Sequence, residues 1–367
     1  MKSPTLLEKI AARLKAATAR GPLKRLWPVT EALDEALLGT PKTARSAPFL
    51  RDGMDIKRMM SLVIVSLIPP VVAGTYFYGL RVLAMIAVSY AAGGAVEVAF
   101  AALRRKPIHE GFLVTGLIFP LILPPTAPLW LVAVGVAFGA FFGKEVFGGT
   151  GRNLFNPALV GRLFVSLAFP RYFATMWGKM HWGGTGGLLR WTVDATTQAT
   201  PLISFKGSHL LATDPLSLLI GHAPGCVGET FRIGIILGGL FLVFTRAADW
   251  RIPISYLGGT AVFALIFGAL LPGRVAPVWF QLLSGGLLFG AFYMANDPVT
   301  SPFTFRARWI YGAMLGLLTV LIRALSGLPE SVMFAILLMN ATTPLLDKLV
   351  LATVHKRADT RIRRHAA

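Results

Sequence analysis

The run Asp194-Ala195-Thr196-Thr197-Gln198-Ala199-Thr200, followed by Pro201-Leu202, puts one carboxylate and three hydroxyls within seven residues. A threonine hydroxyl can carry a phosphoester, which brings negative charge and strong acceptor oxygens with it. Thr200 is the last of the three hydroxyls. The plainer alternative is an ordinary threonine-rich loop.

Carboxylates offer a second chemistry. Glu97 follows Gly93-Gly94-Ala95-Val96 inside a long apolar stretch. A carboxylate at membrane depth is costly and by default marks a functional site. Two glycines one turn earlier leave room for a ligand or a partner helix; the alternative is close helix packing with Glu97 paired to an arginine. His109-Glu110-Gly111 opens another apolar stretch, Asn296-Asp297-Pro298 closes one, and Asp347 lies late in the last. A hard cation such as sodium takes several oxygen ligands, which these carboxylates and the carbonyls of broken helices could supply. A helix stop before Pro298 and an interfacial charge beside Lys348 are the alternatives for Asp297 and Asp347.

The segment from Gly148 to Arg162, G-G-T-G-R-N-L-F-N-P-A-L-V-G-R, is neither a Walker loop nor a dinucleotide fingerprint. Its glycines permit close backbone approach, and Asn153 and Asn156 offer donors and acceptors, so it could cradle a planar ring with polar edges. A tight turn with an asparagine helix cap is the equal alternative. Arg162 and Arg323 lie within apolar stretches and are expected to snorkel to the interface. The single cysteine, Cys226, excludes an intrachain disulfide and any iron–sulfur or zinc site built from this chain's thiolates alone.

The elements that must position these residues are membrane helices. The 367 residues are 54% hydrophobic and 14% charged, against about 25% charged in soluble domains. Apolar runs of the length that spans a bilayer predict an all-α integral membrane protein with about ten transmembrane helices, near 58–78, 81–103, 112–124, 128–147, 154–170, 230–246, 253–272, 277–295, 309–325 and 330–350. The third and fifth are short and interrupted, which suits half-helices covered by protein. Five spans on each side of the long segment 171–229 would make a duplicated unit inverted, giving two five-helix repeats with broken helices. The net charge of +19 is a topology signal. With the N-terminus cytoplasmic, 27 of the 36 Lys and Arg fall on that side, the positive-inside bias. Both termini are then cytoplasmic, and a nucleic-acid role is set aside. The organisation is a basic, amphipathic tail over 1–56, a first membrane half over 57–170, a periplasmic-side segment over 171–229, a second half over 230–350 and a basic tail over 351–367.

In this order, the motifs resemble one family: the B subunit of the sodium-translocating NADH:quinone oxidoreductase (Nqr) and its relative, the D subunit of the Rnf complex. The most specific piece is Lys144-Glu145-Val146-Phe147-Gly148-Gly149-Thr150-Gly151-Arg152-Asn153 with Phe155-Asn156-Pro157-Ala158-Leu159. Arg51-Asp52 through Met60, His109-Glu110-Gly111-Phe112, Asp297-Pro298-Val299-Thr300 and the Asp194–Thr200 run accompany it. That run resembles the D-x-x-[ST]-G-A-T signature at which a flavin transferase attaches FMN, with Gln198 in place of the usual Gly. The basic tail and the run from Lys144 look like the Nqr protein. Ala199-Thr200-Pro201-Leu202 and Leu337-Leu338-Met339-Asn340 with Pro344-Leu345-Leu346-Asp347 look more like the Rnf protein, which acts in ferredoxin:NAD+ electron transfer.

The resemblance implies covalent FMN on Thr200 with Asp194 in the recognition signature, and a second, non-covalent flavin, riboflavin, with Asn153 and Asn156 as contacts. It implies quinone near Gly93, Gly94 and Glu97, and uptake of Na+ or H+ involving Glu97, Asp297 and Asp347. It places the chain in the bacterial cytoplasmic (inner) membrane, alongside other Nqr or Rnf subunits, as part of an ion-translocating oxidoreductase. From the residues alone, a non-redox membrane transporter or channel remains the competing class.

Overall fold

The computed structural model describes residues 56–105, 111–178, 180–192, 199–211, 213–326 and 331–366. The basic tail over 1–55, His109, Glu110, Asp194 and Gln198 lie outside the described residues.

The described chain is helical, without a β-sheet. The first part holds α1 (Ile56–Tyr78), α2 (Arg81–Arg104), α3 (Gly111–Leu121), α4 (Leu129–Ala140), which continues as a π-helical turn (Phe141–Glu145), and α5 (Pro157–Ala168). Shorter helices follow: α6 (Pro170–Thr175), α7 (Pro201–Ser208), α8 (Pro215–Ile220) and a 3-10 turn (Val227–Glu229). The last part holds α9 (Arg232–Phe244), α10 (Arg251–Leu270), α11 (Val278–Leu283), α12 (Leu287–Phe289) running into a second π-helical turn (Gly290–Met294), α13 (Phe305–Leu325) and α14 (Val332–Ala366). Five helices, α1, α2, α10, α13 and the first part of α14, are long and apolar enough to cross a membrane, and α3, α5 and α9 are shorter apolar helices. The chain is a multi-pass membrane protein. α14 runs past the expected end of the last span, so residues 351–366 continue as helix.

Close packing rests on small residues, as expected where lipid supplies no hydrophobic drive between helices. α4 and the π-helical turn carry Gly135, Gly139 and Gly143 at intervals of four residues. A methyl group at Gly139 would meet the Pro157 carbonyl, and one at Gly161 of α5 would meet that of Gly135. α13 approaches α10 in the same way, with Gly312 and Gly316 against Ser255, Gly259 and Thr260. In each part the second long helix packs on the fourth element, the fourth on the fifth and the second on the third, while α1 packs on α9 between the two parts.

The broken helices explain the buried arginines. α3 stops in the run Leu121-Ile122-Leu123-Pro124-Pro125, where proline cannot continue the helical hydrogen bonding. The carbonyls left free at such an end need donors, and the negative pole of the helix favours a cation. Arg162 of α5 donates to the Ile122 carbonyl. At the end of α11, Arg323 of α13 donates to the carbonyls of Gln281 (2.6 Å) and Ser284 (3.0 Å), and Arg232 donates to that of Leu283. Arg162, Arg232 and Arg323 are all buried. The expectation that Arg162 and Arg323 snorkel is therefore corrected: the carbonyl groups of an interrupted helix hold them inside.

Candidate functional site

A cavity of about 760 Å³ opens between the two parts of the molecule. One wall is the link from α4 to α5, with Lys144, Thr150, Asn153 and Asn156; the other is the end of the second π-helical turn, with Tyr293, Asn296 and Asp297, and Met59 and Met60 of α1 also line it. The glycine-rich link can turn back on itself because Gly148, Gly149 and Gly151 take left-handed backbone (φ +111°, +98° and +86°), which glycine adopts without steric cost. Asn156 caps α5, its Oδ1 accepting from the Ala158 N–H (3.0 Å), and Pro157 occupies the first helical position, where a missing N–H costs nothing. Asn153 donates to the Phe155 carbonyl (3.1 Å). Asp297 accepts from the Thr300 hydroxyl (2.9 Å) and, at longer range, from the Val299 N–H (3.4 Å).

The opposite rim is tied down by Asn296. It donates to the Asp249 carbonyl (3.0 Å) and accepts from the Asp249 N–H (3.1 Å). Asp249 pairs in turn with Arg251 (3.0 Å) and Arg308. Burial raises the Asp249 carboxyl, but the Arg251 N–H and the Arg308 charge outweigh it and hold it below the usual carboxylate range. Three asparagines and a carboxylate beside apolar and aromatic surface suit a planar ligand with polar edges.

The π-helical turn at Phe141–Glu145 places two charges against α2. Lys144 forms a buried ion pair with Glu97, and Glu145 pairs with Arg104 at 2.7 Å. Single π turns inside α-helices occur often at functional sites. The structure thus joins Glu97 to the cavity through Lys144, and the partner of Glu97 is a lysine. Gly93 and Gly94 face helices at close range: a methyl group would lie 3.1 Å from Val136 at Gly93 and 3.2 Å from Phe112 at Gly94. Asp347 lies elsewhere. It accepts from the N–H groups of Phe303 (2.8 Å) and Thr304 (2.9 Å) and the Thr304 hydroxyl (2.7 Å), which fastens α14 to the start of α13.

Thr200 stands apart from this cavity. It caps α7 with extended backbone, its Oγ1 accepting from the Ile203 N–H at 3.4 Å, and it is half-buried. A second cavity beside it, about 330 Å³, is lined also by Trp177, Pro224, Gly225, Glu229, Arg232 and Gly285. A third, about 340 Å³, shares Leu202, Glu229 and Gly285 with it and adds Arg162 and Arg323. On α7, burial and then the charge of Arg323 lower the affinity of Lys206 for its proton, while its Nζ donates to the Ser326 carbonyl (2.9 Å). Lys144, Trp177, Glu229 and Arg232 line these cavities although their sequence context did not mark them as site residues. Lys144 opens the most specific family-like run but carried no role there, Glu229 was only a charge bordering an apolar run, and for Trp177 there was no signal.

The family model described as the NQR2, RnfD, RnfE family matches residues 43–356. The chain is 33% identical over 401 residues to the B subunit of the Na(+)-translocating NADH-quinone reductase of Pseudomonas aeruginosa, covering 96% of this chain and 97% of that protein. It is 34% identical over 420 residues to the corresponding protein of Yersinia pestis, covering 97% and 98%, and 33% identical over 421 residues to that of Klebsiella pneumoniae, again covering 97% and 98%. A match along nearly the whole of both chains, carried on helices that bring Lys144, Asn153, Asn156 and Asp297 around one cavity, settles the family. The chain belongs to the NQR2, RnfD, RnfE family.

Proposed function

We propose that this chain is the flavin-carrying membrane subunit of a Na+-translocating NADH:quinone reductase in a bacterial inner membrane, with both termini in the cytoplasm. The observation that carries the reading is the Thr200 hydroxyl, half-exposed at a helix N-terminus near a buried cation, in a chain matched end to end by proteins of that name. The names of those relatives favour the Nqr type over the Rnf type. The repeated order of helix packing supports two inverted five-helix units with half-helices. A transporter without redox chemistry remains the reading to be displaced.

The residues fit the two groups differently. Thr200 fits a phosphoester: its Oγ1 would bond to the phosphorus of a flavin nucleotide donor as the donor's phosphoanhydride oxygen leaves with the rest of the nucleotide and the threonine proton is released, the step a flavin transferase would catalyse. Asn153, Asn156 and Asp297 would hold a second, unphosphorylated flavin such as riboflavin, whose ring has donors and acceptors along its edge. When bound, these groups supply the electron-carrying chemistry, and the protein supplies placement and electrostatics.

In this reading electrons arrive from partner proteins of the complex, because the chain carries neither a dinucleotide fingerprint nor the thiolates for an iron–sulfur cluster. Quinone is assigned to α2 near Gly93, Gly94 and Glu97. Cation uptake is assigned to Glu97, Asp297 and Asp347, with Asp297 on the wall of the large cavity and Glu97 coupled to it through Lys144. The test is in-gel ultraviolet fluorescence that survives SDS, measured on the chain expressed with a flavin transferase. A band lost in Thr200→Ala supports the reading; a wild-type chain without the band overturns it.

A further inference from the structure

The cavity beside Thr200 gathers donors that the described protein does not use. Trp177 is 3% exposed, and its indole Nε1 has no hydrogen-bond partner among the described residues. A buried donor left unpaired costs free energy, so it signals a missing acceptor. Arg232 lines the same cavity. Its Nε and Nη1 are taken up by the carbonyls of Leu283, Leu218 and Thr230, and its Nη2 donates to none of the described residues.

The third contribution comes from α7. At its N-terminus Pro201 has no N–H to offer, and the Ser204 N–H already bonds the Thr200 carbonyl at 2.9 Å. The first-turn N–H groups of Leu202 and Ile203 remain, with the Ile203 N–H held by Thr200 Oγ1 at only 3.4 Å. Esterification of Oγ1 weakens that oxygen as an acceptor and frees the Ile203 N–H for whatever the ester carries. Helix N-termini favour anions through both their free N–H groups and the helix dipole. Glu229, also on the wall, opposes an anion: one of its carboxylate oxygens lies towards Gly286 and the other towards Gly225, on the wall of the same cavity, so the phosphate must lie on the side of Trp177, Arg232 and α7.

We infer that this cavity is a phosphoryl site, in which Trp177 Nε1, Arg232 Nη2 and the first turn of α7 receive the phosphate attached to Thr200. The inference deepens the assignment of an ester to Thr200 and rests on it for the source of the phosphate. The chemistry of the site, a tetrahedral oxyanion with donors on three sides, is independent of that source. Trp177 and Arg232 are positioning residues: they hold the ester and take no part in electron transfer.

The test follows the indole resonance of Trp177 in the full-length, detergent-solubilised protein labelled with 15N-tryptophan, assigned by its disappearance in Trp177→Phe. In protein expressed without flavin transferase, inorganic phosphate shifts the resonance saturably. In protein expressed with the transferase, the resonance is already shifted and no longer responds to phosphate, and the 31P line of the ester moves in Trp177→Phe. Trp177→Phe retains an aromatic ring and removes the N–H, so folding is not at stake. A Trp177 resonance indifferent both to phosphate and to flavinylation overturns the site. Saturable phosphate binding in a chain that never shows SDS-resistant fluorescence retains the site and removes the ester. Fluorescence with an unmoved Trp177 retains the ester and removes the site. A shift produced by vesicles of anionic phospholipid but not by inorganic phosphate assigns the cavity to a lipid headgroup and overturns the proposal.

Discussion

The two main cavities differ in how their charges are paired before they differ in size. Around the larger one, the cations of the described residues have anions: Lys144 faces Glu97, Arg104 faces Glu145, and Arg251 and Arg308 share Asp249. Around the smaller one, Arg232 and the nearby Arg323 spend their donors on backbone carbonyls and neutral side chains, with Glu229 as the carboxylate on the wall. A balanced cavity of about 760 Å³ suits a ring without phosphate, held by shape and hydrogen bonds. The smaller one, of about 330 Å³, sets the donors of Trp177 and Arg232 beside Thr200, which suits a phosphate. On the proposed function, the difference matches one phosphorylated and one unphosphorylated flavin.

The largest effect expected is on the small cavity. Thr200→Ala should abolish denaturation-resistant flavin fluorescence while the chain stays in the membrane, because a half-exposed cap hydroxyl is not a core packing element. Its loss as an N-cap costs about 1 kcal/mol, too little to unfold the protein. Fluorescence that persists in this variant would move the attachment to Thr196 or Thr197 and detach the small cavity from the cofactor.

Next comes the balance of the large cavity. Lys144→Met strands the Glu97 charge in the interior, and breaking a buried pair from one side costs about 3–5 kcal/mol. The double variant Lys144→Met with Glu97→Leu should recover most of that loss, since neither charge is then unpaired. Thermal unfolding in detergent reads both. Glu97→Gln keeps the shape and should leave flavin content intact while it slows quinone reduction. A double variant as unstable as the single one would show that the pair does not act as a unit.

Much of the architecture was open to reading in the sequence because lipid imposes it. Nine stretches of apolar residues coincide with helices or helix pairs near their expected positions, and the C-terminal one runs on into α14. The halves of the large cavity were also visible, as the glycine–asparagine segment and as Asn296-Asp297-Pro298. That they meet was not, because Asn153 and Asp297 are far apart in sequence and only packing between the two parts joins them. Arg162 and Arg323 were misplaced for a related reason: a buried arginine is intelligible only once the broken helix end it serves is known. Nothing in the sequence singles out Trp177, because an unpaired donor is a property of the folded surroundings.

A moderate effect should distinguish glycines that let helices approach from glycines that do not. Gly139→Ala pushes a methyl group into the Pro157 carbonyl beneath the large cavity, and overpacking of that kind costs about 1–3 kcal/mol. Gly268→Ala meets nothing within 4 Å and should gain roughly 0.5–1 kcal/mol from helix propensity. Equal melting temperatures for the two variants would mean that α4 and α5 are not held at the distance seen here.

The smallest effect separates two carboxylates assigned to cation uptake. Asp347 accepts three hydrogen bonds of 2.7–2.9 Å, so its oxygens are satisfied without a cation. Asp297 has one such bond and a longer contact at 3.4 Å, lines the large cavity and lies near enough to Lys144 to feel its charge. Asparagine at each position keeps the shape and removes the charge. Asp347→Asn should cost about 1 kcal/mol, the usual worth of a hydrogen bond, with a modest rise in the Na+ concentration that half-saturates quinone reductase activity. Asp297→Asn should raise that concentration further at little cost in stability. Titrating sodium against turnover in both variants, beside their melting temperatures, tests the order. If Asp347→Asn has the larger sodium effect, the cation path runs along α14 rather than through the cavity, and charge balance there serves the ring alone.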